Sequence, residues 1–129
     1  MARWYPFELP YHWLMAHYDM GTLGLSNGAA VTAIPDSSLN DHDAAQATGG
    51  NQPTYVTSAL NGLGAVSFDG SDDYLTTNIR SSRNEAVLAV IRPTSFAAQR
   101  FILGSPSPTG GRGLRITTAG KVEVSREGT

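Results

Sequence analysis

Ala65-Val66-Ser67-Phe68-Asp69-Gly70-Ser71-Asp72-Asp73-Tyr74-Leu75 is the stretch whose reading decides the fold. Val66 and Phe68 alternate with Ala65 and Ser67, which gives one apolar face and the period of a half-buried strand. Asp69-Gly70 predicts a tight turn, because Gly tolerates positive φ and Asp bonds its own downstream backbone. Tyr74-Leu75-Thr76-Thr77 predicts a second extended run. Working outward, Ala30-Val31-Thr32-Ala33-Ile34 predicts a short strand stopped by Pro35-Asp36-Ser37-Ser38. Residues 85–92 are apolar on both faces and predict a buried strand. Burial of Val87, Leu88, Val90 and Ile91 is worth roughly 1.5–3 kcal/mol each before entropy is counted. Phe101-Ile102-Leu103 predicts another strand, and residues 105–111 a Pro/Gly/Ser loop. Leu114 and Ile116 alternate with Arg115 and Thr117, Ala119-Gly120 turns the chain, and Val122 and Val124 alternate with Glu123 and Ser125. That pattern predicts a hairpin with one wet face. The expected core is Val66, Phe68, Val87, Val90, Leu114, Ile116, Val122 and Val124.

Composition agrees with an all-β chain. The 129 residues suit one domain with its own core. With 14 Gly and 7 Pro, and little sustained helical periodicity, turns are many. No apolar run approaches the length of a membrane-spanning helix. Residues 1–8, with Pro6 and Glu8, lack the apolar core of a secretory signal. The absence of Cys excludes disulfides and thiolate metal sites and fits a reducing cytosol. The net charge of −2 conceals an asymmetry. Between Trp4 and Asn78 there are eight acids and no Lys or Arg, whereas from Arg80 onward eight bases face three acids. Either the halves neutralise each other within one domain, or they draw copies together head to tail. No basic cluster with interleaved aromatics occurs, so nucleic acid is not an expected partner, and no membrane is either. Six of the aromatics, Trp4, Tyr5, Phe7, Tyr11, Trp13 and Tyr18, fall in the first 18 residues. With Pro6 and Pro10 among them, residues 1–11 are expected to form an aromatic arm outside the domain of residues 12–129.

The central stretch resembles the signature of concanavalin A-like β-sandwiches of the laminin-G-like type. The likeness continues upstream through Asp43-Ala44-Ala45-Gln46-Ala47-Thr48, Gln52-Pro53-Thr54-Tyr55-Val56 and Leu60-Asn61-Gly62-Leu63. Downstream it continues through residues 86–93 and Gly113-Leu114-Arg115-Ile116-Thr117. Trp13-Leu14-Met15-Ala16 is similar to the family's opening strand. The loop at Ile34-Pro35-Asp36-Ser37-Ser38-Leu39-Asn40 departs from the family's Trp-Asp-Asp pattern. The resemblance implies an antiparallel jelly-roll sandwich. Members usually continue beyond the last hairpin found here, so the resemblance implies a shortened member, a piece of a longer chain, or a sandwich incomplete at its C-terminus whose edges a neighbour covers. Members of this sequence flavour occur in phage and prophage structural proteins. The expectation is therefore a non-enzymatic virion component, a decoration, fibre or tail-associated protein, made in the host cytoplasm and assembling with itself and with other virion proteins. The alternative is a carbohydrate-binding, lectin-like module of a bacterial surface or secreted protein.

Glycosidases on this fold place paired carboxylates on one strand, as Glu-x-Asp-x-x-Glu, about 5–5.5 Å apart. No Glu-x-Asp occurs in this chain, so no catalytic residue is expected, and no cofactor site either. Asp69, Asp72 and Asp73 are hard oxygen ligands in a turn and raise the question of Ca²⁺. The competing reading is that Asp69 caps the Gly70 turn while Asp72 or Asp73 bonds nearby amides. Asp41-His42-Asp43 reads as a solvated loop, and His12 and His17 fit no zinc spacing. Tyr55 and Tyr74 fall in strand-like segments, where core packing is the expected use.

Overall fold

The computed structural model describes residues 14–80, 86–104 and 113–125. It is a β protein of small antiparallel sheets, with only two single 3₁₀ turns, Met20–Thr22 and Gly49–Asn51, as helical structure among the described residues. The chain forms two compact units, the first ending before Ala86 and the second beginning there.

In the first unit, β1 (Ala33–Ile34) pairs antiparallel with β2 (Ala44–Ala45), and β3 (Thr54–Leu60) pairs antiparallel with β4 (Leu63–Ser67). The second pair is built by Asn61-Gly62. Both residues adopt positive φ, 50° and 78°, as the two-residue turn that matches strand twist requires. Register is Thr54↔Ser67, Tyr55↔Val66 and Val56↔Ala65, then shifts before Leu60↔Leu63, and Ser58 sits inside that bulge at φ 53°. The opposite edge of β3 takes up residues 28–31: the Gly28 amide donates to the Tyr55 carbonyl, the Tyr55 amide to Ala29, and the Val31 amide to Pro53. These pairings gather Val31 (0% exposed), Ile34 (1%), Ala44 and Tyr55 into the core, with Tyr18, Met20, Leu23, Leu25, Val66 and Leu75 packed against them.

In the second unit, β5 (Arg100–Gly104), β6 (Gly113–Ile116) and β7 (Val122–Ser125) form a three-stranded antiparallel meander. One face carries the cross-strand ion pair Arg115–Glu123, at 3.0 Å. The other carries Leu114 opposite Val124 and Ile116 opposite Val122.

The sequence places the strands after Phe101 well and the central stretch less so. Val66 packs against the core and Ile116 is buried, as expected, and Leu114 is half-buried. Phe68, Val87, Val90, Val122 and Val124 are exposed, against expectation. Phe68 lies beyond the last ladder pair of β4, so the chain has already left the sheet when it reaches that side chain. Residues 86–92 form no strand. Their apolar run meets no pairing partner among the described residues, and an extended segment without a ladder is not a strand. Val122 and Val124 lie on the outer strand β7, and among the described residues burial on that face reaches Ile116 and, in part, Leu114 of the central strand. Tyr74-Leu75-Thr76-Thr77 supplies one isolated bridge, Thr76 to Ala45, in place of a strand. The partner of the 63–67 strand is upstream, not downstream. Leu14 to Ala16 form no strand either, while Trp13, the aromatic arm of residues 1–11 and the loop of residues 105–111 lie outside the described residues.

Candidate functional site

The Asp69–Asp73 loop leaves β4 with Gly70 at φ 76°, the left-handed conformation that Gly adopts without steric cost. One carboxylate oxygen, Asp69 Oδ1, accepts from the Ser71 amide at 2.7 Å and more weakly from Asp72 and Asp73 at 3.4 and 3.5 Å. Asp73 Oδ2 accepts from the Asp69 amide at 2.8 Å, which closes the loop in both directions. Asp69 thus caps the turn and Asp73 clamps its start, as the structural reading of the sequence anticipated. Ligand oxygens of Asp69, Asp72 and Asp73 lie within 4.8 Å of one another. Such a triad is a hard-oxygen donor set of the type Ca²⁺ takes, but two of its oxygens already serve the loop's own amides. Phe68 and Tyr74 flank the loop, and both are exposed. Tyr74 therefore departs from the expected core use, whereas Tyr55 fulfils it.

A second polar cluster centres on Asp36, which the sequence singled out only as a departure from the family pattern. Asp36 Oδ1 accepts from the backbone amides of His17 and Ser38, each at 2.8 Å. Its Oδ2 accepts from the Ser38 hydroxyl at 2.6 Å and the His42 amide at 3.1 Å. The Asp36 amide in turn donates to Asp43 Oδ1. Desolvation pushes the Asp36 carboxyl up, but the four hydrogen bonds, from the Ser38 hydroxyl and the His17, Ser38 and His42 amides, outweigh it and hold the pKa at about 2. One carboxylate thereby ties residues 17, 38 and 42 together.

Next to it, the Tyr18 hydroxyl donates to the His42 carbonyl and lies against Thr77 Oγ1. Burial raises the Tyr18 pKa, the Thr77 contact works against that, and Asp36 and Asp43 add to the rise. The ring of His42 meets Asn78 Oδ1 through Nδ1. Because a carbonyl oxygen only accepts, Nδ1 is the donor there. Asp36 bonds the His42 backbone, not its ring, so the pair is not an oriented general base. Asp41 turns the loop at φ 54°. The Asp41-His42-Asp43 segment makes a structural corner.

A shallow groove of about 240 Å³ runs beside β1, lined by Thr22, Leu23, Leu25, Thr32, Pro35 and Ser37 among others. It carries hydroxyls and aliphatic carbons without a charged or aromatic group. Among the described residues, Glu123 is the one glutamate, and it is committed to Arg115. Comparisons of the chain with family models, with curated proteins and with solved structures return no match.

Proposed function

We propose that this chain is a non-enzymatic structural protein of a bacteriophage particle, a decoration, fibre or tail-associated component that assembles with itself and with other virion proteins. In this reading its small sheets belong to a concanavalin A-like sandwich whose apolar faces are covered in the assembly. The observation that carries it is the apolar face of the β5–β6–β7 sheet, where Leu103, Val122 and Val124 are exposed. Monomeric soluble proteins keep contiguous apolar patches small, and larger ones mark interaction surfaces. The carboxylates support the same reading, because Asp36, Asp69 and Asp73 are engaged with backbone amides and Glu123 with an arginine. None of these is arranged as an acid–nucleophile pair.

A second reading, recognition of glycans, is favoured by one observation: Phe68 and Tyr74 stand exposed on either side of the acidic loop, and aromatic faces stack on sugar rings. Particles banded on a density gradient from a producing strain, probed with an antibody to this chain, test the first reading. The chain is expected to band with the particles in fixed ratio to the major shell protein. A chain that stays at the top of the gradient and is retained on a glycan column overturns it in favour of the second.

A further inference from the structure

We propose that copies of this chain join head to tail, with the exposed apolar face of the β5–β6–β7 sheet of one copy receiving the Phe68–Tyr74 loop of the next. The inference rests on the self-assembly part of the function proposed above and names the two surfaces that meet.

The receiving surface is apolar, with Arg100 at its edge. Leu103 is 47% exposed, Val122 61% and Val124 72%, and register places all three on the outer strands of the face whose central strand carries half-buried Leu114 and buried Ile116. Arg100 lies opposite Ile116 on that face. Among its described residues the second unit holds four bases, Arg92, Arg100, Arg115 and Lys121, against Glu123 alone. The inserting surface is the chemical complement. Phe68 is 50% exposed and Tyr74 48%, and Asp72 stands between them, exposed, with its carboxylate outside the loop's hydrogen bonds. The described part of the first unit holds seven aspartates and one base, Arg80.

Charge decides which pairing forms. A two-fold contact of the sheet with itself brings two predominantly basic surfaces together. A two-fold contact of the loop with itself sets aspartate against aspartate. Like charges brought together across an interface cost several kcal/mol and suppress such pairings. The heterologous contact satisfies both signs at once and buries aromatic against aliphatic surface. Heterologous contacts propagate, closing into a ring or continuing as a fibre, and either geometry serves a particle component.

The test is sedimentation of the full chain beside two charge reversals at exposed positions, Asp72→Lys and Arg100→Glu. Circular dichroism checks that each variant keeps the wild-type fold. The wild type is expected to form concentration-dependent oligomers. Each reversal should raise the dissociation constant about tenfold or more and make the remaining association less salt-dependent. An equimolar mixture of the two variants is expected to recover the oligomer, because each surface then meets its opposite charge. The double variant, carrying both reversals in one chain, should assemble by itself for the same reason. Wild-type oligomers indifferent to both reversals, or variants that weaken without recovery on mixing, overturn this pairing while leaving self-assembly standing. A wild type that stays monomeric up to about 100 μM overturns both; each single contact would then be far weaker than the micromolar class.

Discussion

Replacing Asp36 by Ala tests the idea that one carboxylate holds three segments of the first unit together. The substitution removes four accepted hydrogen bonds, from the His17 amide, the Ser38 amide, the Ser38 hydroxyl and the His42 amide. Bonds to a charged acceptor contribute about 1.5–3 kcal/mol each when buried. Asp36 is only partly buried, so water replaces part of what is lost. The pKa gives a separate measure. Its fall from 3.8 to about 2 corresponds to roughly 2 kcal/mol of preference for the ionised form before solvent screening, and to about 1 kcal/mol after it. The sum of lost geometry and lost charge is expected near 2 kcal/mol, read as a lowered urea midpoint at pH 7 with an unchanged slope. The pH dependence has a fixed sign. The folded-state pKa lies below the unfolded one, so the contribution is full above about pH 4 and disappears as pH falls toward 2. Asp36→Asn should flatten that acid limb while keeping part of the geometry. A midpoint shift below about 0.5 kcal/mol for Asp36→Ala, or an acid limb unchanged in Asp36→Asn, refutes the reasoning.

Gly70→Val should cost about 1 kcal/mol or more, because a β-branched residue resists the φ of 76° found there; thermal melting measures it. A Cβ on Gly64 would overlap the Tyr55 hydroxyl and ring, so Gly64→Ala is expected to cost about 1–3 kcal/mol by urea denaturation, and less when Tyr55 is shortened to Leu. Ile34→Ala in the core of the first unit should cost about 2–4 kcal/mol, whereas Val124→Ala, on an exposed strand face, should stay within about 0.5 kcal/mol in the monomer. Incubation with β-glucans should give no reducing sugar; turnover abolished by a single Glu→Gln change would contradict the non-enzymatic reading.

What the sequence made legible was local. Asp69-Gly70 was readable because its turn is made by its own residues, and the structure closes it with Asp69 and Asp73 bonds inside a five-residue span. The β6–β7 hairpin was readable for the same reason. The pairing of β4 was not found by alternation, although Asn61-Gly62, the strongest short-range hairpin signal in the chain, lay in view between two strand-like runs. Residues 86–92 show the opposite failure. Their composition specifies an apolar strand, but composition does not specify the neighbour a strand needs. Asp36 was illegible as a tether because its partners stand at positions 17, 38 and 42, and nothing in a linear pattern joins His17 to a carboxylate 19 residues away. Exposure of Phe68 and Tyr74 was missed because period-two patterning assumes the strand continues, and here it ends at Ser67.

The edge of β3 that receives residues 28–31 also fixes an order of events during folding. A hairpin closed by two residues forms within microseconds, and its contacts are short in sequence. Residues 28–31 precede that hairpin in the chain, yet apart from the Ala29 amide, which turns back to the Ser26 carbonyl, the backbone bonds described for them run to Pro53 and Tyr55. They leave the ribosome before the residues they bond exist. Val31, fully buried at the end, enters a core completed by residues that all follow it, Ile34, Ala44 and Tyr55, so a nascent chain halted before Tyr55 holds its most buried side chain without the ring that covers it.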